Sequence, residues 1–551
     1  MPFVTAFPPR ILEALHHLHE RRSLLVTAVG GSSRGVHQNS ALEEVRRTAL
    51  DVLCSVELAR RVELVCWSPE KEVYQARNAD GSIRFSRKTS GSRRPSFGVD
   101  EISGRNPLED QDPTLFSSKD HELAHPTPDK RHNSYPYAFE HIAQVFDHPC
   151  APDICVLHPS TFRSEAHRGE HGSLDVIQAR APFLISGCGI RRLGLIDGHC
   201  RLVDVAPTIL SLLGTPQRSA RTHGTSSLGA YLERQDGDVI PGLIDGDAER
   251  PERVIAFLLD GTNANMLYDM AASGDAPCIA RLIEHGTALR HGAFASLPTV
   301  TLPNHTTLLT GCHPGHHGVL HNAWYDRGLG CQVVTESPAT WQEAMRWLAP
   351  GVETVHEALH RSHPGTCTIS VNEPADRGAD YSTFDLFRSG RKDELAAQPG
   401  LVPTHSAESQ RFAEASDSYH WGTIVDASAV AQAAAILRGN FAGTDYAAPS
   451  FMWVNTSLTD AASHEAGPHS EMARSAVREG DARIAEVLAV AEESVGLERT
   501  AVIVVADHGM ELNDPDDTSG WGDALRKTGI VFRDEASGFL YLGVKPDHVG
   551  V

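Results

Sequence analysis

The 551-residue sequence lacks several features that mark other classes of protein. Its ten cysteines include no CxxC pair and show no regular spacing, which argues against a thiolate zinc site or a disulfide scaffold and leaves buried free thiols as the expectation. No apolar run approaches the roughly 18 residues that a membrane-spanning helix needs. The N-terminal MPFVTAFPPR has no charged segment followed by an apolar one. We therefore expect a cytoplasmic protein with no membrane partner.

Positive charge is also scarce. Lys and Arg number 49 against 71 Asp and Glu, and the net charge of −22 would repel a phosphate backbone, so no nucleic-acid partner is expected. Small phosphate esters stay open as substrates, because a pair of divalent metal ions makes its own local positive field. A hydrophobic content of 41% is enough for a sizeable core, and the 30 histidines fit either metal chemistry or ordinary surface usage.

Apolar periodicity predicts alternating strands and helices. Strands are expected at 23–28, 62–66, 153–157, 181–186, 254–259, 366–371, 451–455, 501–505 and 539–543, and helices at 10–20, 40–59, 135–146, 203–214, 264–289, 341–348, 425–437 and 471–491. Such alternation indicates an α/β fold with a largely parallel central sheet flanked by helices.

Two polar segments and one linker-like stretch interrupt this pattern. Residues 78–133 and 372–420 have few apolar positions, and the first is expected to be an excursion or a mobile insertion. Residues 234–252 are rich in Gly, Asp and Pro. They divide the chain into an N-terminal half, 1–245, and a C-terminal half, 246–551, which we expect to form one catalytic unit.

Metal-ligand residue types follow the predicted strands of the C-terminal half. Asp260 comes after VIAFLL, and Asp507-His508 comes after AVIVVA. Asp460 and His464 are four residues apart, so a helical turn would place both on one face. Functional groups of parallel sheets collect beyond the carboxyl ends of the strands. Each residue alone also fits a helix cap or a satisfied polar group, but oxygen and imidazole donors together suit zinc or a similar divalent ion.

The stretch from Ser296 to Asp326 contains Thr301-Leu302-Pro303-Asn304-His305. A proline at the first helical position, with Thr306 to Thr310 behind it, would place the Thr301 hydroxyl at a helix N-terminus, where free N–H groups favour an anion. A capped helix followed by a Gly/His-rich loop is the plain structural alternative.

These residues resemble the nucleophile region of the nucleotide pyrophosphatase/phosphodiesterase family of the alkaline phosphatase superfamily. The resemblance rests on Thr-x-Pro-Asn-His, on Thr-Gly-x-x-Pro-x-x-His-Gly over 310–318, and on Asn322 ahead of Tyr325-Asp326. It implies that Thr301 is the catalytic nucleophile and that Asn322 holds a non-bridging phosphoryl oxygen. It also implies two divalent metal ions, expected to be Zn²⁺.

The family pattern assigns Asp260, Thr301, Asp507 and His508 to one metal ion, and Asp460, His464 and one further histidine to the other. That histidine normally lies downstream in a Gly-x-His-Gly context, but His548 alone follows Met510 and has a different context. The expected context surrounds His171 in the N-terminal half, with His167 as a near competitor. The sequence thus predicts a circularly permuted chain in which His171 completes the metal site.

The resemblance implies a metal-dependent hydrolase that cleaves phosphate diesters or pyrophosphate-type bonds through a phospho-threonine intermediate. A sulfatase is rejected, because position 301 is Thr and position 305 is His. A C–P hydrolase similar to phosphonoacetate hydrolase stays open as an alternative, as does a non-catalytic binding protein on the same fold. The expected partner is a small phosphate ester or phosphonate, and the sequence leaves the oligomeric state open.

Overall fold

The computed structural model describes residues 36–89, 94–125, 132–159, 167–218, 229–335, 337, 340–397, 409–412, 414–513 and 520–545. The expected helix 10–20 and strand 23–28 lie outside these residues. No helix in the described part of the chain is long and apolar enough to cross a membrane. All ten cysteines are free thiols; eight are buried, whereas Cys188 is partly exposed and Cys331 is exposed.

An eight-stranded sheet forms the centre of the molecule. Its strands, in spatial order, are Tyr381–Ser382, Thr368–Val371, Phe451–Thr456, Arg253–Leu259, Thr500–Val505, Phe183–Gly187, Gly286–Leu289 and Gly194–Ile196. The first five are parallel to one another, and Phe183–Gly187 is antiparallel to both of its neighbours. The predicted α/β class with a largely parallel central sheet is confirmed.

Both faces of this sheet are covered, as the continuous apolar strand sequences require. Along Arg253–Leu259 the side chains alternate between two hydrophobic clusters: Val254, Ala256 and Leu258 face one, and Ile255 and Phe257 face the other. The alternation follows from the two-residue period of a strand.

A second, seven-stranded sheet is antiparallel throughout. Its strands, in spatial order, are Phe532–Glu535, Phe539–Leu542, Ile154–Leu157, Leu64–Glu70, Val73–Arg77, Gly81–Arg87 and Phe97–Gly104. Smaller sheets pair Arg180–Ala181 and Cys200–Arg201 with Ala293–Phe294, Ala323–Asp326 with Cys331–Val334, Asn440–Phe441 with Thr444–Asp445, and Gly169–Glu170 with Glu511–Leu512.

The helices connect and cover these sheets. The α-helices are Val36–Leu53, Lys119–Ala124, Ala138–Val145, Val176–Ala179, Val205–Leu212, Ala264–Ser273, Pro277–Glu284, Thr301–Thr310, Pro314–His317, Val355–Ser362, Thr383–Arg388, Asp393–Ala397, Asp417–Leu437, Leu458–Ala466, Glu471–Ser494 and Gly522–Arg526. Short 3-10 helices span Val56–Leu58, Leu202–Asp204, Trp341–Trp347 and Ser409–Phe412.

The expectation of an excursion over 78–133 is wrong for the described part of that segment. Gly81–Arg87 and Phe97–Gly104 are strands of the second sheet. Further along, the buried Arg180 guanidinium donates hydrogen bonds to the carbonyls of Phe116, Pro113 and Leu115. A buried cation with several carbonyl acceptors fixes the backbone it contacts, so this part of the segment is packed against the body of the protein.

Three other expectations need correction. The helical pattern at 264–289 is two helices followed by strand Gly286–Leu289, because Gly274 ends the first helix in a left-handed conformation at φ 85°. The predicted strands at 62–66, 153–157 and 539–543 belong to the second sheet rather than the central one. The helix expected at 341–348 is a 3-10 helix over Trp341–Trp347.

The stretch 234–252 contains no helix, but it is packed rather than loose. The Asp236 N–H donates to the Gly311 carbonyl, and Ile244 forms a β-bridge with Ile190. Strands from both sides of this stretch share the central sheet, since Gly286–Leu289 lies between Phe183–Gly187 and Gly194–Ile196. The division into halves at 245/246 stays a prediction.

Candidate active site

Neighbouring parallel strands of the central sheet end at one place and carry the candidate ligands there. Arg253–Leu259 ends just before Asp260, and Thr500–Val505 ends two residues before Asp507. Phe451–Thr456 leads into helix Leu458–Ala466, which carries Asp460 and His464. Because carboxyl ends of parallel strands meet at one edge of a sheet, the fold brings these four side chains together.

Thr301 lies at a helix N-terminus as expected, although the helix begins at Thr301 itself rather than at Pro303. The helix runs from Thr301 to Thr310, and Val300 before it is extended. The first N–H groups of a helix have no acceptor within the helix. One of them, from Leu302, donates to Asn322 Oδ1 at 3.3 Å, which holds the Asn322 amide beside Thr301. The Thr301 hydroxyl lies 3.5 Å from His508 Nε2.

One group of candidate ligands adjoins this hydroxyl through His508. His508 Nε2 lies 3.1 Å from Asp507 Oδ2 and 3.8 Å from Asp260 Oδ1. All three side chains are buried, and their ligand atoms lie within 4.8 Å of one another. The Gly261 N–H donates to Asp507 Oδ1 at 3.1 Å and leaves Oδ2 facing the group. This arrangement is the one predicted for Asp260, Thr301, Asp507 and His508.

A second group joins the two halves of the chain. His464 Nε2 lies 3.4 Å from Asp460 Oδ1, and His171 Nε2 lies 3.1 Å from His464 Nε2 and 3.8 Å from Asp460 Oδ1. The His171 ring also stacks on His508 with ring centroids 3.7 Å apart, so the two groups adjoin. Gly261 permits this closeness, because a Cβ there would lie 2.5 Å from Asp460 Oδ1.

The three histidines of these groups each place one ring nitrogen against a backbone carbonyl. His171 Nδ1 lies 2.9 Å from the Thr299 oxygen, His464 Nδ1 lies 2.8 Å from the Gly169 oxygen, and His508 Nδ1 lies 2.9 Å from the Gly509 oxygen. A carbonyl can only accept, so each Nδ1 carries a proton, and Nε2 is the nitrogen of each ring that faces the site and can offer a lone pair to a cation.

These lone pairs show that the residues fit a metal ion. The Nε2 atoms of His171 and His464 are 3.1 Å apart beside a carboxylate oxygen, and such acceptors repel unless a proton or a cation lies between them. In addition, Asp260 Oδ1, Asp460 Oδ1 and Asp507 Oδ2 are buried and have no hydrogen-bond partner. Buried oxygens normally have one, and a divalent cation would satisfy all three.

His167, the competitor of His171, lies on the outer side of His464. Its Nδ1 contacts Glu170 Oε1 at 3.0 Å, and its ring centroid is 4.6 Å from that of His464. His167, Glu170 and His464 form a third cluster of potential ligands. However, His464 Nδ1 already donates to a carbonyl on this side and has no lone pair to offer. The geometry therefore favours His171 over His167 as the partner of Asp460.

Electrostatics in the site reflect crowded carboxylates. Burial, together with the nearby Asp507, raises the pKa of Asp260 well above its usual range. Burial opposes ionisation of Asp507 as well, but His508 and His305 outweigh it and hold its pKa low. Burial lowers the pKa of His171 well below its usual value, with help from His508 and His464, and so favours the neutral imidazole that a metal ion needs.

Sequence reasoning missed two buried residues beside the first group. His305 Nδ1 lies 2.9 Å from Glu373 Oε2. Burial disfavours the imidazolium, but Glu373, Asp260 and Asp507 outweigh burial and raise the pKa of His305 well above its usual value. A signal for Glu373 was present, since it follows the apolar strand Thr368–Val371 as Asp260 and Asp507 follow theirs. The polar composition of 372–420 concealed it.

Comparison with known proteins gives one family match. The model of the family "Type I phosphodiesterase / nucleotide pyrophosphatase" matches residues 254–550. The match includes Asp260, Thr301, Asn322, Asp460 and His508, whereas His171 lies outside it.

Individual relatives match shorter stretches. An uncharacterized pyrophosphatase/phosphodiesterase of Schizosaccharomyces pombe is 31% identical over 156 residues, which are 26% of this chain and 29% of that protein. Alkaline phosphatase PafA of Elizabethkingia meningoseptica is 32% identical over 93 residues, 17% of each chain. This chain thus covers less than a third of either relative.

Among solved structures, murine ectonucleotide pyrophosphatase / phosphodiesterase 5 aligns with 53% of this chain and 66% of its own, at 16% identity and a TM-score of 0.38. The family match, by contrast, extends over more than half of the 551 residues. The chain therefore belongs to the type I phosphodiesterase / nucleotide pyrophosphatase family.

Proposed function

We propose that the protein is a metal-dependent hydrolase of phosphate diesters or pyrophosphate-type bonds that works through a phospho-threonine intermediate at Thr301. One observation carries the proposal. The Thr301 hydroxyl sits at a helix N-terminus, 3.5 Å from His508 Nε2, beside buried carboxylate oxygens without hydrogen-bond partners. A hydroxyl so placed can be activated as a nucleophile.

Two divalent ions would be held by the residues of the two groups. Asp260, Thr301, Asp507 and His508 would bind one, and Asp460, His464 and His171 would bind the other. When bound, such ions polarise the attacking hydroxyl and stabilise the leaving oxygen. Carboxylate and imidazole ligands suit zinc, which we propose as the metal.

The residues of the chain then divide the work of phosphoryl transfer. Thr301 Oγ1 forms a bond to phosphorus as the bond from phosphorus to the leaving oxygen breaks. Water afterwards attacks the phospho-threonine, releases the phosphate and restores the hydroxyl. The Asn322 Oδ1 is held by the Leu302 N–H, so the Asn322 amide N–H groups point away from the helix backbone. We infer that they donate to a non-bridging phosphoryl oxygen in the transition state.

The charge of the site favours diesters over monoesters. Two dications would balance the carboxylates of Asp260, Asp460 and Asp507 and one Thr301 alkoxide. A monoester dianion would need a further cation. Arg327, the nearest Arg or Lys following the Thr301 stretch, is 2.9 Å from Asp153 and lies over the Tyr541 ring. It is therefore engaged away from the proposed phosphate position.

We also propose that the chain is a circular permutant of the family pattern. The support is that His171, from a part of the chain ahead of the family match, lies beside His464 and Asp460. In the family pattern, the corresponding histidine lies downstream of the Asp-His-Gly-Met element.

The test is turnover by zinc-loaded protein of bis-p-nitrophenyl phosphate, p-nitrophenyl phosphate, a nucleotide sugar and phosphonoacetate. Thr301→Val should abolish turnover and prevent mass-spectrometric trapping of a phosphopeptide. Thr310→Val serves as the control, because it removes a buried hydroxyl of the same helix that bonds to the Thr306 carbonyl and the Cys312 N–H. Turnover by Thr301→Val within tenfold of wild type would show that Thr301 is not the nucleophile. Faster hydrolysis of the monoester or of phosphonoacetate would overturn the substrate class.

A further inference from the structure

A fully buried contact between a histidine and a glutamate lies directly behind the Asp260/Asp507 group. His305 is in the second turn of the Thr301 helix and is 1% exposed, and Glu373 is 0% exposed. His305 Nδ1 lies 2.9 Å from Glu373 Oε2. Burying polar groups costs free energy unless they have partners, so a contact at this depth needs a specific reason.

The second nitrogen of His305 provides that reason. His305 Nε2 lies 3.6 Å from Asp260 Oδ2 and 3.5 Å from Asp507 Oδ2. One imidazole therefore contacts two carboxylates that follow different strands. The ring thus lies between Glu373 on one side and the two strand-end carboxylates on the other.

Glu373 is itself held rigidly. Its Oε2 accepts a hydrogen bond of 3.1 Å from the Trp453 indole, and its Oε1 accepts one of 2.8 Å from the Ala375 N–H. Trp453 is fully buried within the neighbouring strand. A carboxylate fixed by two donors has one orientation, and it passes that orientation to the His305 ring.

We propose that Glu373 and His305 are positioning residues for the metal site that contains Thr301. Glu373 fixes the ring, and the ring positions Asp260 Oδ2 and Asp507 Oδ2 so that Asp260 Oδ1 faces His508. The inference rests on the proposed function for the presence of a metal ion. It adds two residues that do not contact the ion or the substrate but determine how its carboxylate ligands are presented.

The test measures zinc affinity rather than turnover alone. Glu373→Gln keeps the shape but replaces one carboxylate oxygen by an NH₂ group, which cannot accept, so either the side that meets His305 and Trp453 or the side that meets Ala375 is lost. We expect about 10- to 100-fold weaker zinc binding at one of the two sites, the usual cost of losing an outer partner of a ligand, measured by competition with a chelator. Glu479→Gln is the control, because it removes the same charge from a buried pair with Arg483, at 2.8 Å, on the long helix Glu471–Ser494.

A double-mutant cycle shows whether the two residues act together. If Glu373 acts through His305, the loss of zinc affinity in His305→Gln should not increase further when Glu373→Gln is added. Additive losses would overturn the linkage. Should Glu373→Gln fail to fold, the visible spectrum of Co²⁺-substituted His305→Gln, at unchanged metal stoichiometry, reports the altered geometry instead, and a spectrum identical to wild type would overturn the proposal.

The outcomes separate this inference from the proposed function. If wild-type protein binds no zinc, the proposed function fails first. If wild type binds two ions and hydrolyses the diester while Glu373→Gln matches it in zinc affinity, only the positioning role is wrong.

Discussion

At the scale of single residues, the site depends on which ring nitrogen each histidine presents. His171 and His464 both donate Nδ1–H to carbonyls and present Nε2 to Asp460. His167 contacts Glu170 on the opposite side of His464. His167 and His171 are only four residues apart in sequence but differ in what they can bind, because His171 presents Nε2 to Asp460 whereas His167 contacts Glu170.

This difference predicts opposite outcomes for two alanine substitutions. His171→Ala should remove one zinc ion from the purified protein and abolish diester hydrolysis, because a site reduced from three protein ligands to two loses affinity. His167→Ala should keep two zinc ions and turnover within a few-fold of wild type. Metal analysis and a diester assay on both variants check this. Loss of zinc from His167→Ala alone would reverse the assignment.

The sequence identified residues where a strand end and a short motif coincided. The positions of Asp260 and Asp507 after apolar strands predicted that they lie together, whereas the family resemblance was needed to place Thr301 with them, and the structure brings all three to His508. Their roles in metal binding and catalysis stay predictions. Glu373 also follows an apolar strand, but the polar segment behind it concealed that signal, and no local pattern indicates its contact with His305 in a helix elsewhere in the chain.

At the scale of elements, Thr299, just before the Thr301 helix, is hydrogen-bonded to the loop that carries His171. The Thr299 hydroxyl accepts a hydrogen bond from the Gly172 N–H at 3.0 Å and donates one to the Ser173 carbonyl at 2.6 Å. The Thr299 carbonyl accepts from His171 Nδ1. A single buried residue two positions before Thr301 thus aligns the predicted nucleophile with the loop of the predicted ligand.

These hydrogen bonds of Thr299 predict the effect of Thr299→Val. The substitution keeps the side-chain shape but leaves the buried Gly172 N–H and Ser173 carbonyl without this partner, which costs about 1–3 kcal/mol for each unsatisfied group. We expect the affinity for the zinc ion bound by His171 to fall, while Thr299→Ser restores it. Thr306→Val is the control, because its buried hydroxyl donates to the Leu302 carbonyl away from the His171 loop. Equal zinc affinity in the Thr299 and Thr306 variants would show that the Thr299 hydrogen bonds do not support the site of His171.

Strands and helices were predictable from the sequence where the apolar run was long. The predictions failed where neighbouring strands determine the conformation of a short segment. Strand Gly286–Leu289 reads as the end of a helix, because four residues between a turn and a loop show no period of their own. It is a strand because Phe183–Gly187 and Gly194–Ile196 flank it. Strand Gly81–Arg87 carries the inward pair Ile83 and Phe85, but its Ser and Arg positions made the segment look unfolded.

At the scale of the whole molecule, an Asp–His–Asp bridge ties distant parts of the chain together. His316 Nδ1 lies 2.6 Å from Asp236 Oδ2, and His316 Nε2 lies 2.8 Å from Asp147 Oδ2. Asp147 also pairs with Arg87 of the second sheet at 2.7 Å. Burial and Arg234 oppose the charge on His316, but the two carboxylates outweigh them and raise its pKa, while the pKa values of Asp236 and Asp147 are lowered.

The bridge predicts a pH-dependent loss of stability in His316→Gln. A raised histidine pKa contributes stability that is complete below the unfolded value of about 6.5 and disappears as the pH rises through the folded value. The lowered aspartate pKa values contribute above about 3.9 and are lost as the pH falls. The substitution should therefore cost about 3–5 kcal/mol near pH 6 and less near pH 9.

Urea denaturation of both proteins at the two pH values measures this difference. His356→Gln is the control, because burial lowers the pKa of His356 to about 3 and keeps it neutral, so its cost should not grow as the pH falls. A cost of His316→Gln that is the same at pH 6 and pH 9 would show that the bridge carries no charge-dependent stability.

The two parts of the chain on either side of 245/246 are interleaved in both large sheets. Strand Gly286–Leu289 has N-terminal strands on both sides, and Phe539–Leu542 pairs with Ile154–Leu157. Residues 246–250 between the two parts are exposed, and a Cβ on Gly246 would meet no atom within 4 Å. The packing of the two parts therefore does not depend on the covalent bond between residues 245 and 246.

This interleaving predicts that the order of the two parts can be exchanged but neither can be removed. A chain in which 246–551 is followed by a flexible linker and then 1–245 should fold, bind two zinc ions and hydrolyse a diester within tenfold of the natural order, because cuts at exposed sites preserve the packing. The fragment 246–551 lacks His171 and leaves Gly286–Leu289 and Thr500–Val505 with unpaired edges, so it should aggregate and bind fewer zinc ions. Size-exclusion chromatography, metal analysis and turnover distinguish the two proteins. A soluble, fully active fragment with two zinc ions would show that the N-terminal part, His171 included, is not needed by the catalytic unit.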